Sequence, residues 1–299
     1  MGGSTLDARD ALGDQSMGTH VDGNRVALVT GGSRGIGAAT CLALAARGYD
    51  VALTYRNKAA RAEAVAAKIR AQGAHALAVG CDMTEDDDIA RLMDALAGWR
   101  HGLDLLVLNA SGGLERDLVA ADPTYPMRIN RDAQLATVAA ALPLLRPGGT
   151  IVFVTSHWAH LHGKVAYFDA YTPVASTKHA GEAALRARQA DLTAAGLRLL
   201  VVTGDMIEGT ITPKLLERSA PGIFQQRRDA VERLPTADDM GKAIADAALD
   251  AGLPSGHTVV VGGPLDSLPA LHELGEAREA RAATTTRTAV AAVAAEETM

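Results

Sequence analysis

The sequence predicts a doubly wound α/β fold, a seven-stranded parallel sheet with helices on both faces, in a single domain. Three observations predict it. From Arg25 onward, short apolar runs of β-forming character alternate with Ala-rich stretches of helical period; a glycine-rich turn joins the first run to the first helix; and the connections are short, as right-handed crossovers allow. At 299 residues with 48% hydrophobic side chains, the chain can bury one large core without dividing in two.

In order, the strand runs are Val26–Thr30, Val51–Thr54, Ala76–Val79, Leu103–Leu108, Thr150–Thr155, Leu197–Thr203 and Thr258–Val261. Between them, Ala38–Arg47, Ala59–Gln72, Glu85–Trp99, Asp132–Leu145, Pro173–Ala194 and Ala237–Ala251 carry the helical pattern. Several end near a glycine, which accepts the left-handed conformation of a helix C-terminus. Residues 1–23 are rich in Gly, Asp and Ser without periodicity and are expected to form a flexible leader. The folded domain is expected over 24–265. Residues 266–299 form an Ala- and Thr-rich tail with few large apolar groups to anchor it, so disorder is favoured over a terminal helix.

Composition excludes some functions. Net charge is −6 and the basic residues are spread along the chain, so no electropositive stripe for nucleic acid is built. Cys41 and Cys81 sit in apolar or strand-end contexts, as reduced thiols acting as small hydrophobes do. No apolar run approaches the roughly 18 residues of a membrane span, and Asp7, Asp10 and Asp14 interrupt any signal-peptide core. A cytoplasmic protein without a membrane partner is expected.

The strongest local signal is Thr30-Gly31-Gly32-Ser33-Arg34-Gly35-Ile36-Gly37, which leaves the first strand and opens the first helix. Free N–H groups and the positive dipole end of a helix stabilise a pyrophosphate, and glycine lets backbone approach it closely. Dinucleotide binding is therefore predicted for this turn, with Gly31, Ser33, Arg34, Gly35, Ile36 and Gly37 as its contacts. An acidic residue ending the second strand would repel a ribose 2′-phosphate. The chain instead reads Thr54-Tyr55-Arg56-Asn57, so Arg34 and Arg56 could clamp that phosphate and NADPH is favoured over NADH. The plainer reading is that both are solvated surface arginines.

These residues resemble the short-chain dehydrogenase/reductase family, whose turn is Thr-Gly-x-x-x-Gly-x-Gly; the resemblance covers about Arg25 to Gly263 and implies a Rossmann-type fold. It implies that Asp82, after Cys81, hydrogen-bonds the adenine amino group. Asn109-Ala110 matches part of the Asn-Asn-Ala-Gly motif that supports sheet and cofactor, although Leu108 replaces the first Asn and Ser111 precedes Gly112. Asn130 falls where the family holds a relay water, and Ser156 resembles the catalytic serine, with a helix cap and a turn hydroxyl as the plain alternatives. Thr155 competes with Ser156.

The family's Tyr-x-x-x-Lys motif is broken: Lys178 is present, but Val174 occupies the tyrosine position. Tyr171 lies about two turns before Lys178, on nearly the same helical sector. The Tyr-x6-Lys spacing is similar to that of enoyl-acyl-carrier-protein reductases, most of all the NADPH-using third bacterial type. The resemblance implies that Tyr171 donates a hydrogen bond or proton, Ser156 orients the substrate oxygen, and Lys178 holds the nicotinamide ribose and favours tyrosinate. Tyr167 stays open as the alternative donor.

The expected activity is NADPH-dependent reduction of a polarised C=C or C=O in an apolar small molecule or acyl thioester, leaning to the enoyl thioester. A 3-oxoacyl or polyketide-tailoring ketoreductase is the chemical alternative; a catalytically silent NADPH-binding regulator is the alternative of another class. Relatives are commonly tetramers, so a homo-oligomer is expected. His157, His160 and His162 lack a Cys or Glu nearby to complete a metal set, so no metal is expected, and a pocket-lining or proton-relay role is favoured. Residues 205–228 are expected to cover the substrate, with Met206 and Ile207 near the nicotinamide.

Overall fold

A computed structural model describes residues 24–166, 169–210, 212, 217, 218 and 221–269. The expected leader, nearly all of the expected tail, and Tyr167 lie outside the described residues. Seven strands form one sheet: β1 Arg25–Val29, β2 Tyr49–Tyr55, β3 Ala76–Gly80, β4 Leu103–Leu108, β5 Leu145–Ser156, β6 Arg198–Gly204 and β7 Thr258–Val261. Their order is β3-β2-β1-β4-β5-β6-β7 and every pairing is parallel. This is the Rossmann-type arrangement. The order reverses between β1 and β4, and a crevice opens there at the carboxyl ends of the strands.

Strands buried on both faces need apolar side chains throughout, and β5 shows it. Ile151 and Phe153 pack into a layer with Leu92, Val138 and Leu185 from the helices Asp86–Trp99, Ala133–Ala141 and Thr172–Ala187. Val152 and Val154 face the opposite layer, with Leu44, Ile69 and Ile244 from the helices Gly35–Ala45, Ala59–Ala71 and Ala237–Leu249. A third apolar cluster sits at the carboxyl end of the sheet and gathers Trp158, Val165, Tyr171, Val174, Met206 and Leu234.

All seven expected strands form. The helix expected over Asp132–Leu145 stops at Ala141, because Leu145 already pairs with Leu103 and starts β5. The helix expected over Pro173–Ala194 is divided at Arg188 into Thr172–Ala187 and Gln189–Ala194. Pattern alone also missed Arg116–Ala121, Tyr125–Met127 and the helix Ile223–Ala230. A single π-turn over Arg128–Asp132 precedes Ala133–Ala141; such turns often re-aim functional groups. Among the described residues no helix is long and apolar enough to cross a membrane.

Candidate active site

At the glycine turn, backbone is packed too closely for side chains. Gly31 has φ +66 and its N–H donates to Thr54 Oγ1 at 2.9 Å. A Cβ on Gly37 would lie 2.3 Å from the Gly31 carbonyl and 2.6 Å from Asn109 Nδ2, and one on Gly32 2.6 Å from Leu53 Cβ. Gly32 was not singled out from sequence, since only the contact with β2 reveals its need. Asn109, expected to support this region, is brought to it: Nδ2 donates to Thr30 O at 2.9 Å and Gly31 O at 3.3 Å. The Thr30 hydroxyl accepts from both Asn109 and Ala110 N–H at 3.0 Å. No side chain caps the helix that begins at Gly35, and Arg34 stands exposed at its cap position with Ser33 and Ile36 half-buried beside it. An uncapped, glycine-lined helix N-terminus fits the phosphates of a dinucleotide.

Arg56 follows β2, with its Nη1 donating to the Tyr125 hydroxyl at 3.0 Å and its guanidinium 5.9 Å from the centre of that ring. Asp82 ends the stretch after β3, where its Oδ1 accepts from Thr84 N at 3.0 Å and Thr84 Oγ1 at 2.8 Å. Tyr125 was not foreseen: its partner is 69 residues away in sequence.

At the other end of the crevice, Tyr171 sits just before the helix Thr172–Ala187, whose first turn holds Pro173, a residue suited to a helix start. Its hydroxyl donates to Ser156 Oγ at 2.8 Å, and that oxygen also accepts from Ala159 N at 3.2 Å. The two expected residues are thus together, and Tyr171 is bonded to Ser156 rather than to Thr155. The Thr155 hydroxyl is buried with no hydrogen-bond partner among the described residues. Burial pushes the Tyr171 phenol above its usual range, while the Ser156 hydrogen bond pulls it back. Lys178 is itself buried, which lowers its ammonium to about 8. Nothing among the described residues hydrogen-bonds or ion-pairs with it, so its donors are available to the hydroxyls of a coenzyme ribose.

Asn130, in the π-turn, is 1% exposed and ties two elements together. Its Nδ2 donates to Gly112 O and Thr177 Oγ1, both at 2.9 Å, and its Oδ1 accepts from Gly112 N at 3.3 Å. The plain readings, a helix cap or solvated amide, do not describe it. Gly181 lets this turn approach: a Cβ there would lie 2.2 Å from the Asn130 carbonyl. A glycine in mid-helix was the legible signal for that contact.

The histidines depart from expectation. His157 is fully buried, with Nδ1 3.0 Å from Thr203 Oγ1 and Nε2 3.0 Å from Gly263 O, and burial lowers it to about 4. It is a neutral structural bridge, not a pocket-lining or relay group, because both ring nitrogens are spent on protein. His160 bonds the buried Glu182, which also accepts from Arg186 at 2.8 Å. The His162 ring lies 5.5 Å from that of His179. Among the described residues no group of three or more His, Cys, Asp or Glu could hold a metal ion.

In the expected lid, Met206 joins the apolar cluster around Tyr171, but Ile207 packs in the layer of Ile244 and Leu44 instead, because its strand-end turn directs it to that face. Asp205 and Arg227, both buried, make a bidentate pair, Nε to Oδ1 at 2.9 Å and Nη2 to Oδ2 at 2.8 Å. Arg227 also donates to Ser267 O at 3.0 Å and Ser267 Oγ at 2.9 Å, and Gly263 N donates to Asp205 Oδ2 at 3.1 Å. This clasp fastens the helix Ile223–Ala230 to the ends of β6 and β7.

A family profile described as short chain dehydrogenase matches residues 25–219. Versicolorin reductase stcU of Emericella nidulans is 35% identical over 142 residues, 46% of this chain and 54% of that protein, so the match spans about half the length of that relative. The 1-cyclohexenylcarbonyl-CoA reductase of Streptomyces collinus is 28% identical over 250 residues, 82% of this chain and 88% of its own. Among solved structures, a short chain dehydrogenase from Burkholderia cenocepacia J2315 in complex with NADP superposes with a TM-score of 0.71 at 30% identity, covering 81% of this chain and 98% of that one.

Proposed function

From the premise that the chain belongs to the short chain dehydrogenase family and is an NAD(P)H-dependent short-chain reductase, we propose that it uses NADPH to reduce a polarised double bond of an apolar substrate, preferring an enoyl thioester. The observation that carries this reading is the 2.8 Å bond from Tyr171 to Ser156, buried in an apolar cluster seven residues before Lys178. The nicotinamide supplies the hydride. The chain's own part is to meet the oxygen that gains charge with a donor already in place.

Tyr171 turns its phenolic O–H from Ser156 to the substrate oxygen, the thioester oxygen of an enoyl substrate or the carbonyl oxygen of a ketone. Ser156 then holds that oxygen from its second side. Lys178 holds the ribose hydroxyls and, as a nearby cation, favours the tyrosinate form of Tyr171. Gly31, Ser33, Gly35, Ile36 and Gly37 receive the pyrophosphate, Asp82 the adenine, and Arg34 with Arg56 the 2′-phosphate. Asn109 supports the turn, and Asn130 sets the distance between the Gly112 loop and the helix that carries Lys178. The expected assembly is a cytoplasmic homotetramer, which sedimentation would test.

The enoyl preference gains support from the Streptomyces collinus relative, whose named substrate is an alkene conjugated to a thioester carbonyl. Crotonyl and acetoacetyl thioesters with C4-deuterated NADPH test it: deuterium at the β-carbon of butyryl thioester is expected. Turnover of the keto thioester alone would replace the reading with the ketoreductase. The same panel separates an enzyme from a silent regulator, which would bind NADPH and oxidise none.

A further inference from the structure

Tyr125 has no part in the reaction described above, yet its hydroxyl occupies a crowded place at the mouth of the crevice. It comes from the short helix Tyr125–Met127, immediately before the π-turn, and is 7% exposed. Arg56 reaches it from the end of β2 with a 3.0 Å hydrogen bond and lies against its ring. Gly112, in the loop after β4, makes room for it: a Cβ there would lie 2.6 Å from the Tyr125 oxygen. Three segments therefore converge on one phenol.

Arginine carries four or five rotatable bonds of side-chain freedom, and ordering it on binding costs affinity unless it is ordered beforehand. Arg56 is otherwise an exposed residue at a strand end. Only one of its five N–H donors is spent on Tyr125, so the rest of the fork is left for an anion. The phenol itself stays protonated, since burial and the carboxylates Glu115 and Asp82 raise it, with Arg56 opposing. Its own O–H has no acceptor among the described residues, so it too can donate to a phosphate oxygen.

We propose that Tyr125 is a specificity residue for the coenzyme: it positions the Arg56 guanidinium and adds a neutral O–H donor at the site that receives the adenosine 2′-phosphate. The inference rests on the NADPH preference proposed above and identifies the residue that builds it. Tyr125 is a positioning residue, remote from the transferred hydride.

The test is calorimetric titration of the full chain with NADP+ and NAD+, which reads binding without turnover. Wild type is expected to bind NADP+ more tightly. Tyr125→Phe removes one hydrogen bond to a charged group, so the Kd for NADP+ should rise roughly tenfold while that for NAD+ stays within about twofold. Gly112→Ala, which displaces the phenol, should move the same ratio in the same direction and serves if Tyr125→Phe fails to fold. An unchanged ratio in both variants overturns the proposal, and so does tighter NADP+ binding, which would mean that Tyr125 sequesters Arg56. A wild type with no NADP+ preference would sink the NADPH reading itself, a different result from a preference that Tyr125→Phe leaves intact.

Discussion

The two ends of the crevice are held by different means. Around β1, β2 and β4 the chain is fixed by backbone: Gly31, Gly32 and Gly37 approach other atoms where a side chain would collide, and Asn109 and Thr30 bond to backbone groups. Around β5, β6 and β7 side chains hold side chains: Tyr171 on Ser156, Arg227 on Asp205, His157 on Thr203, Glu182 between His160 and Arg186. The first kind of construction constrains residue type at fixed local spacing. The second constrains only that complementary groups meet, from wherever in the chain they come, so it can vary while the first persists. A valine at position 174 with the Ser156-bonded tyrosine at position 171 fits such latitude.

Removing one O–H at the second end should therefore abolish turnover without touching the first. Tyr171→Phe is expected to lower kcat by about 10²–10⁴-fold, the usual worth of a positioned general acid, with the Kd for NADPH unchanged in a fluorescence titration. Full retention of kcat would transfer the donor role to Tyr167. A parallel loss of NADPH binding would mean that the two ends are not separable.

The clasp should give the largest effect on stability. Arg227→Met leaves the Asp205 carboxylate buried with, among the described residues, only the N–H groups of Met206 and Gly263 hydrogen-bonded to it. Loss of one partner of a buried pair costs about 3–5 kcal/mol, and replacing both by apolar groups restores much of it. Urea unfolding of Arg227→Met and of Arg227→Met with Asp205→Leu measures this. Gly37→Ala, at the backbone-held end, is expected to cost less, about 1–3 kcal/mol, as overpacking does, while weakening coenzyme binding. If Arg227→Met unfolds at the wild-type urea concentration, the helix Ile223–Ala230 is held by its apolar face, Ile223 and Phe224, and the clasp is incidental.

The same contrast explains how much was legible beforehand. The seven strands and the phosphate turn follow from local pattern, because period and glycine spacing are local physical demands. Tyr171 could be singled out by helical periodicity, because Val174 breaks the motif, and the structure bonds it to Ser156. Nothing local announced that Arg227 would reach Asp205, 22 residues away, or that His157 would span 106 residues to Gly263. The three histidines read as pocket-lining or proton-relay groups because their spacing carries no mark of which ring would be spent on buried protein partners, as His157 is. Tyr125 and Gly32 were missed for the same reason, each defined by a contact across the sheet edge rather than by its neighbours in the chain.

The most gradual effect is a slope rather than a step, and it too belongs to the end held by side chains. Burial lowers His157 from 6.5 to about 4 and Lys178 from 10.5 to about 8. In each window the unfolded chain binds the proton that the folded chain refuses, so stability rises with pH from about 4 to 6.5 and again from about 8 to 10.5. One group contributes at most about 1.4 kcal/mol per pH unit. Cys81, pushed up to about 12 from 9.0, works the other way above pH 9, because the folded chain keeps a proton that the unfolded one loses. The difference between Lys178→Met and wild type removes that background. It should show the variant gaining stability below pH 8 and the gain fading as pH rises towards 10.5. A pH-independent difference would mean that the Lys178 ammonium is solvated in the folded protein, and then its grip on a ribose would carry no penalty waiting to be relieved.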